Sequence, residues 1–202
     1  MNIAPLLLLI RNHEAPKGYN QIWGGIKKED YPSREITTMS IKGVLDWQDS
    51  IDKKYRSEAC GGYQFLEDTL RDIYKPAGFN DNTIFTSKIQ DNLAIFLLRK
   101  RGLAKYVEGK ISAETFANNI AKEWASFPVV TGINKGRSFY AGDGLNKALV
   151  SVDEVMHAIK LINGENELLV TTVVTKTPID NPKILTGIAA IIAAILVYLG
   201  LR

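Results

Sequence analysis

Cysteine occurs once in the 202-residue chain, at Cys60, and histidine only twice, at His13 and His157. One thiol excludes a disulfide within the chain and a cysteine-based metal cluster, and two histidines make a His-rich site a poor fit. No metal and no cofactor is therefore expected. An excess of one charge is equally lacking: 25 Lys and Arg stand against 22 Asp and Glu, for a formal net charge of +3. Nucleic-acid binding normally leaves a dense basic stripe, so no nucleic acid is expected as a partner. A secretory signal is missing too, because the apolar run Leu6–Ile10 is short and has neither a basic flank nor a small-residue cleavage site. It reads as the first core helix, opening near Pro5.

What is present is an ordinary globular composition, 46% apolar and 23% charged, with length for one domain and an appendage. Fibrous, collagen-like and wholly disordered chains are excluded. The first of six helical segments spans residues 3–14. Ser40 caps a second over 41–50, and a third over 63–74 ends at Pro76 and Gly78. A fourth, from about Thr86 to Arg101, places Ile89, Leu93, Phe96 and Leu97 on one face and stops at Gly102. Ser112 caps a fifth through Trp124, and Ser151 with Glu154 forms a capping box for a sixth, closed by Gly164. Between the first two helices, Ala15–Met39 is rich in Gly, Pro and polar residues, the composition of a long loop that builds a site or a small sheet flap.

The end of the chain differs in kind. Residues 166–176 alternate toward Val and Thr, a strand-like tether, and 177–183 hold Pro178 and Pro182. Ile184–Leu201 then runs 18 residues without a charge, between Lys183 and Arg202. As a helix rising about 1.5 Å per residue it is roughly 27 Å long, enough to cross a hydrocarbon core. A buried core helix is the other reading, but one apolar on every face needs neighbours on all sides. The expectation is a transmembrane helix with a lipid bilayer as partner; one basic residue at each end leaves its orientation open.

Two clusters have residue types suited to chemistry. Glu14 closes an apolar helix just before the loop, which puts its carboxyl at the rim of the core. A partly desolvated carboxyl holds a proton nearer neutrality, as a general acid requires; by position alone, a solvated helix-end glutamate is the ordinary alternative. The second cluster is Ser57–Phe65, in which Gly61 and Gly62 allow close backbone approach and Gln64 offers hydrogen bonds to amides or hydroxyls of an extended polymer. Taken alone, paired glycines before a helix are a turn. Trp47 and Trp124 lie within helical patterns and read as core, whereas Trp23, in the loop after Glu14, either packs or offers a sugar platform. Glu29, Asp30, Glu35, Asp46, Asp49 and Asp52 supply further carboxylates, none in a distinctive motif.

Glu14, then Gly18-Tyr19-Asn20 and Trp23-Gly24-Gly25, then Ser57–Phe65, then Trp124-Ala125-Ser126-Phe127-Pro128 keep an order that resembles the lysozyme-like peptidoglycan-cleaving enzymes of bacteriophages. The likeness covers about residues 6–163 and is closest to the lambda-endolysin type. It implies a mostly α (α+β) lysozyme-like fold with a small β-flap beside the cleft. It also implies cleavage of the β-1,4 bond between N-acetylmuramic acid (MurNAc) and N-acetylglucosamine (GlcNAc), by a lytic transglycosylase acting on the peptidoglycan glycan strand. Glu14 matches the catalytic glutamate, Tyr63 and Gln64 the Tyr-Gln pair of the cleft, and Tyr140 a late aromatic facing substrate. Position 62 is Gly where the pattern usually has Arg, and the span at 184–201 has no counterpart in the lambda type.

The expected organisation is a catalytic domain over 1–163, a linker over 164–183 and a transmembrane helix over 184–201. That arrangement would anchor the enzyme in the host inner membrane or a virion membrane, acting on the periplasmic wall. Two alternatives stand beside it: a muramidase hydrolysing the same bond, and a non-catalytic, membrane-anchored virion or wall-binding protein.

Overall fold

Hydroxyl side chains close on backbone N–H groups at the helix starts, those of Ser40, Ser112 and Ser151 as the sequence indicates. Ser40 accepts from Gly43 N–H at 3.1 Å to open α2 (Ile41–Ile51), and Thr86 accepts from Ile89 at 3.3 Å to open α4 (Ser87–Lys100). Ser112 opens α6 (Ala113–Ile120), and the full Ser151/Glu154 capping box opens α7 (Val152–Ile162). Each bond satisfies a donor that the first helical turn leaves free, worth about 1 kcal/mol. α1 (Ala4–Glu14) instead has a proline in its first turn, where no N–H is needed. The computed structural model describes residues 1–144 and 146–164, which lie within one unit, Met1–Asn166.

Two elements depart from the sequence pattern. The third helix begins four residues later than expected, as α3 (Glu67–Ile73). Residues 61–65 turn back so that Cys60 and Phe65 pair their backbones, with N–H to carbonyl distances of 3.1 and 2.8 Å. After α4, Gly102 takes a left-handed φ of 104° and the chain re-enters a short helix, α5 (Leu103–Val107).

The core is helical. α1 buries Leu6, Leu7 and Ile10 against α7, whose Val155, Ile159 and Ile162 also face α6 with its Phe116 and Ile120. Burying each such side chain stabilises the fold by about 1.5–3 kcal/mol. α4 touches α1, α3 and α5, and so joins this group to the α2–α3 pair. Asn2 N–H donates to Ile162 carbonyl at 3.0 Å, tying the start of the chain to the end of α7.

The expected β-flap does not form. Residues 15–39 hold two 3-10 turns, Lys28–Asp30 and Ile36–Thr38, and among the described residues β-pairing is confined to isolated bridges such as Ile22 with Cys60 and Ser40 with Ile84. The loop lacks the period-2 apolar alternation that gives a strand a buried face. Its backbone is satisfied one group at a time instead: Trp47 Nε1–H donates to Asp30 carbonyl at 2.9 Å, and Thr37 N–H to Asn20 Oδ1 at 2.9 Å.

The transmembrane expectation is also corrected. No helix among the described residues is long and apolar enough to cross a membrane. The longest, α4, has 14 residues, about 21 Å against a hydrocarbon thickness near 30 Å. The tether, linker and charge-free segment at 184–201 lie outside the described residues. A charge-free run is compatible with a span but does not establish one, and membrane anchoring is withdrawn with it.

Candidate active site

Glu14 is the last residue of α1 and lies one turn beyond buried Ile10, so its side chain leaves the helix on the core-facing side. Ala15, with φ −140°, ends the helix there. The carboxyl meets the chain between α6 and α7, where Ser126 Oγ–H donates to Glu14 Oε1 at 2.5 Å and Ser126 N–H approaches the same oxygen at 3.4 Å. Ser126 is itself buried, and its carbonyl accepts from Leu149 and Val150 N–H at 2.8 and 3.1 Å. Burial raises the pKa of Glu14 above the ordinary carboxylate value, and the two Ser126 hydrogen bonds oppose that rise without cancelling it.

Tyr63 and Gln64, adjacent in sequence, part company in space. The Tyr63 ring is buried, and its hydroxyl donates to Asp91 Oδ1 at 2.5 Å. Tyr19 donates to the same oxygen at 2.8 Å, and Arg11 Nη1 donates to the Tyr19 hydroxyl at 2.7 Å. Burial, followed by the hydrogen bond to Asp91, pushes the Tyr63 phenol far up, so it stays a donor. Asp91 thereby ties α4 to the Tyr19 loop and the turn at 61–65. Gly62 is part of this packing, since a Cβ there would lie 2.8 Å from the Tyr19 ring and 3.2 Å from Arg11 Cδ; Arg11 and Tyr19 fill the space a larger residue would occupy. Gln64 is half-buried, and its amide donates to Gly61 carbonyl at 3.0 Å. Its φ of +50° is the one left-handed value at a non-glycine among the described residues.

Glu14 borders two depressions. One, of about 70 Å³, is walled by Gln64, Leu66, Thr69, Glu123 and Trp124; the other, of about 280 Å³, by His13, Ser126, Asn146 and Lys147. The first shares Thr69, Leu97 and Glu123 with a third depression of about 290 Å³ that reaches Asp72 and Lys100. The three are neighbours through shared walls, and Glu14 stands on the border of two of them. A chain laid along this row of depressions would pass the Glu14 carboxyl, whose raised pKa is of the kind a general acid requires.

Of the residues read from the sequence, Glu14, Tyr63 and Gln64 come together, Tyr63 as support with its ring turned inward. Trp23 and Tyr140 border neither of the depressions on which Glu14 lies. Trp23 packs partly against the core, with its ring over Gly25 and its backbone N–H donating to the Ala59 carbonyl at 2.8 Å. Tyr140 is 42% exposed, and its hydroxyl donates to Lys122 carbonyl at 2.8 Å. The early carboxylates stay off these walls as well: Asp30 accepts from Tyr55 at 2.7 Å and pairs with Lys54 at 2.9 Å, while Asp46 pairs with Lys42 at 2.7 Å. Sequence reasoning missed Ser126 and Glu123. Ser126 sat inside the Trp124–Pro128 motif, but nothing local couples it to a glutamate 112 positions away. Glu123 precedes the same motif, and its Oε2 is held by Arg101 Nε at 2.6 Å.

The endolysin family model matches residues 9–149, a stretch that takes in Glu14, Gln64, Asp91 and Ser126. No curated protein and no solved structure matches the chain. With well over half of its length inside that match, the chain belongs to the endolysin family, the phage enzymes that degrade cell-wall peptidoglycan.

Proposed function

We propose that this endolysin cleaves the β-1,4 bond between MurNAc and GlcNAc as a lytic transglycosylase of the lambda type, in phage lysis or wall penetration. Glu14 is the catalytic residue. The observation that carries the reading is its half-buried carboxyl, raised in pKa by burial, hydrogen-bonded to Ser126 and set on the border of two neighbouring depressions. Protonated Glu14 gives its proton to the glycosidic oxygen as the MurNAc C1–O bond breaks, and the bonding pair leaves with GlcNAc O4. The resulting carboxylate removes the proton from the MurNAc 6-hydroxyl while O6 bonds to C1. Glu14 is protonated again, and the ring closes as a 1,6-anhydro sugar without water. Ser126 serves both halves, because a donor to Oε1 steadies the carboxylate that forms between them. Gln64 presents its amide to the sugar acetamido and hydroxyl groups, and Tyr63 supports the turn that carries it. On this reading residues 1–163 are the catalytic domain and 164–183 a linker.

A muramidase needs a second carboxylate about 5–9.5 Å from the first, as nucleophile or base. Glu123 is the other carboxylate on the wall of the small depression that Glu14 borders, which keeps hydrolysis as a second reading. Its ion pair with Arg101 favours the one-carboxylate route, since an anion so engaged is a weaker base. Mass spectrometry of products from purified peptidoglycan decides between them. Anhydromuramoyl ends are expected; reducing-end muramic acid alone would transfer the second role to Glu123.

A further inference from the structure

The sugars of a glycan strand are uncharged, and the charge of peptidoglycan lies on the peptide stem that hangs from each MurNAc lactyl group. Stem residues carry free carboxylates and, at a diamino acid, an ammonium. The row of depressions is charged in a matching place. Its lobe beyond Glu123, about 290 Å³ in volume, has Lys100 and Asp72 on its walls. Arg101 and Glu123 are taken up with each other there at 2.6 Å. Neither Lys100 nor Asp72 makes an ion pair or side-chain hydrogen bond among the described residues, and both are exposed. The lobe therefore offers one uncommitted cation and one uncommitted anion, next to the depression that Glu14 borders. Its volume is at the low end of the range for pockets that bind small ligands.

We propose that the lobe between Asp72 and Lys100 is a subsite for the peptide stem, with Lys100 taking a stem carboxylate and Asp72 the ammonium of the diamino acid. This rests on the peptidoglycan reading of the site and adds recognition of the peptide to it. A stem held there fixes which sugar of the alternating strand lies over Glu14, so the subsite sets register as well as affinity.

The test is calorimetric titration of the full chain with soluble GlcNAc–MurNAc, either bare, with its lactyl carboxyl capped as the methylamide, or bearing an L-Ala–D-Glu–diamino acid stem. The stem is expected to tighten binding, and Lys100→Glu to remove that advantage by at least about two- to five-fold, the effect of an exposed charge pair. Lys100→Arg should retain it, and added salt should shrink it. Asp72→Asn should weaken the ligand carrying the diamino acid and leave one truncated after D-Glu unaffected. Equal affinity for bare and stem-bearing ligands, or an equal loss for both in Lys100→Glu, would overturn the subsite. These affinities do not depend on which bond the enzyme cuts, so a failure of the transglycosylase reading would appear in the product spectra and leave this measurement intact.

Discussion

Glu14→Gln should abolish wall cleavage and at the same time make the protein more stable at neutral pH. The activity half follows from chemistry, since an amide of the same shape neither donates nor recovers a proton. Loss of a positioned acid costs about 10² to 10⁴ in rate, or roughly 3–5 kcal/mol of barrier. The stability half follows from the direction of the pKa shift. Burial raises the Glu14 carboxyl above its ordinary value of 4.5 in the folded state, so the folded protein holds that proton more tightly than the unfolded chain. Stability is then greatest below the unfolded value and declines as pH rises through the interval up to the folded one. Above the unfolded value the wild type bears the cost of that desolvation, offset in part by Ser126. Glutamine removes the carboxylate charge and still accepts from the Ser126 hydroxyl. A gain of about 1 kcal/mol is the scale for relieving a poorly satisfied buried polar group, which raises Tm by roughly 2–4 °C in a chain of this size. The assay pairs turbidity clearing of purified walls with thermal melts at pH 7 and pH 4. Clearing should be lost at both, while the Tm advantage should be present at pH 7 and shrink toward pH 4. A variant that melts below wild type at pH 7, or still clears walls, would refute the placement of Glu14 as a partly desolvated acid.

Ser126→Ala removes the hydroxyl donor at 2.5 Å that lowers the Glu14 pKa. The basic limb of the pH–rate profile should therefore move to higher pH as peak rate falls, and an unmoved limb would mean that Ser126 does not act on Glu14. Gln64→Gly relieves the φ of +50°, a conformation that costs a residue with a Cβ about 1–2 kcal/mol; Tm should hold or rise while KM on soluble glycan increases, and an unchanged KM would remove Gln64 from the substrate contacts. Leu6→Ala opens a cavity where α1 meets α7 and should cost about 2–5 kcal/mol, read as a lowered denaturant midpoint with the slope unchanged. Cys60 is fully buried and desolvation drives its thiol pKa strongly upward. A thiol reagent should therefore label it only after denaturation, and fast native labelling would contradict its burial.

Helix starts were legible because a cap is a contact between residues three apart. Ser40, Thr86, Ser112 and Ser151 each meet the N–H they satisfy within one turn, and no distant part of the chain alters that. The apolar stripe of α1 likewise showed in the sequence which way Glu14 would project. Segments without such local rules were misread. The loop at 15–39 had the composition of a flap but no alternating face, and α3 starts late because Cys60 pairs with Phe65. The 18 charge-free residues at 184–201 invited a membrane span by length alone, a criterion that no helix among the described residues meets.

What the amino-acid order determined by itself was the capped helix starts, the apolar faces and a glutamate at the end of the first helix, all of which depend on neighbours within a turn. Tertiary structure alone decided that Ser126 would donate to that glutamate across 112 positions. It also decided that Tyr63 would turn inward to Asp91 while Gln64 faced the depression beside Glu14, and that Glu123 would be the carboxylate nearby. Those pairings depend on how α1, α4 and the Trp124–Pro128 segment pack. Hydrogen bonds formed across a fold leave no periodicity along the chain by which to read them.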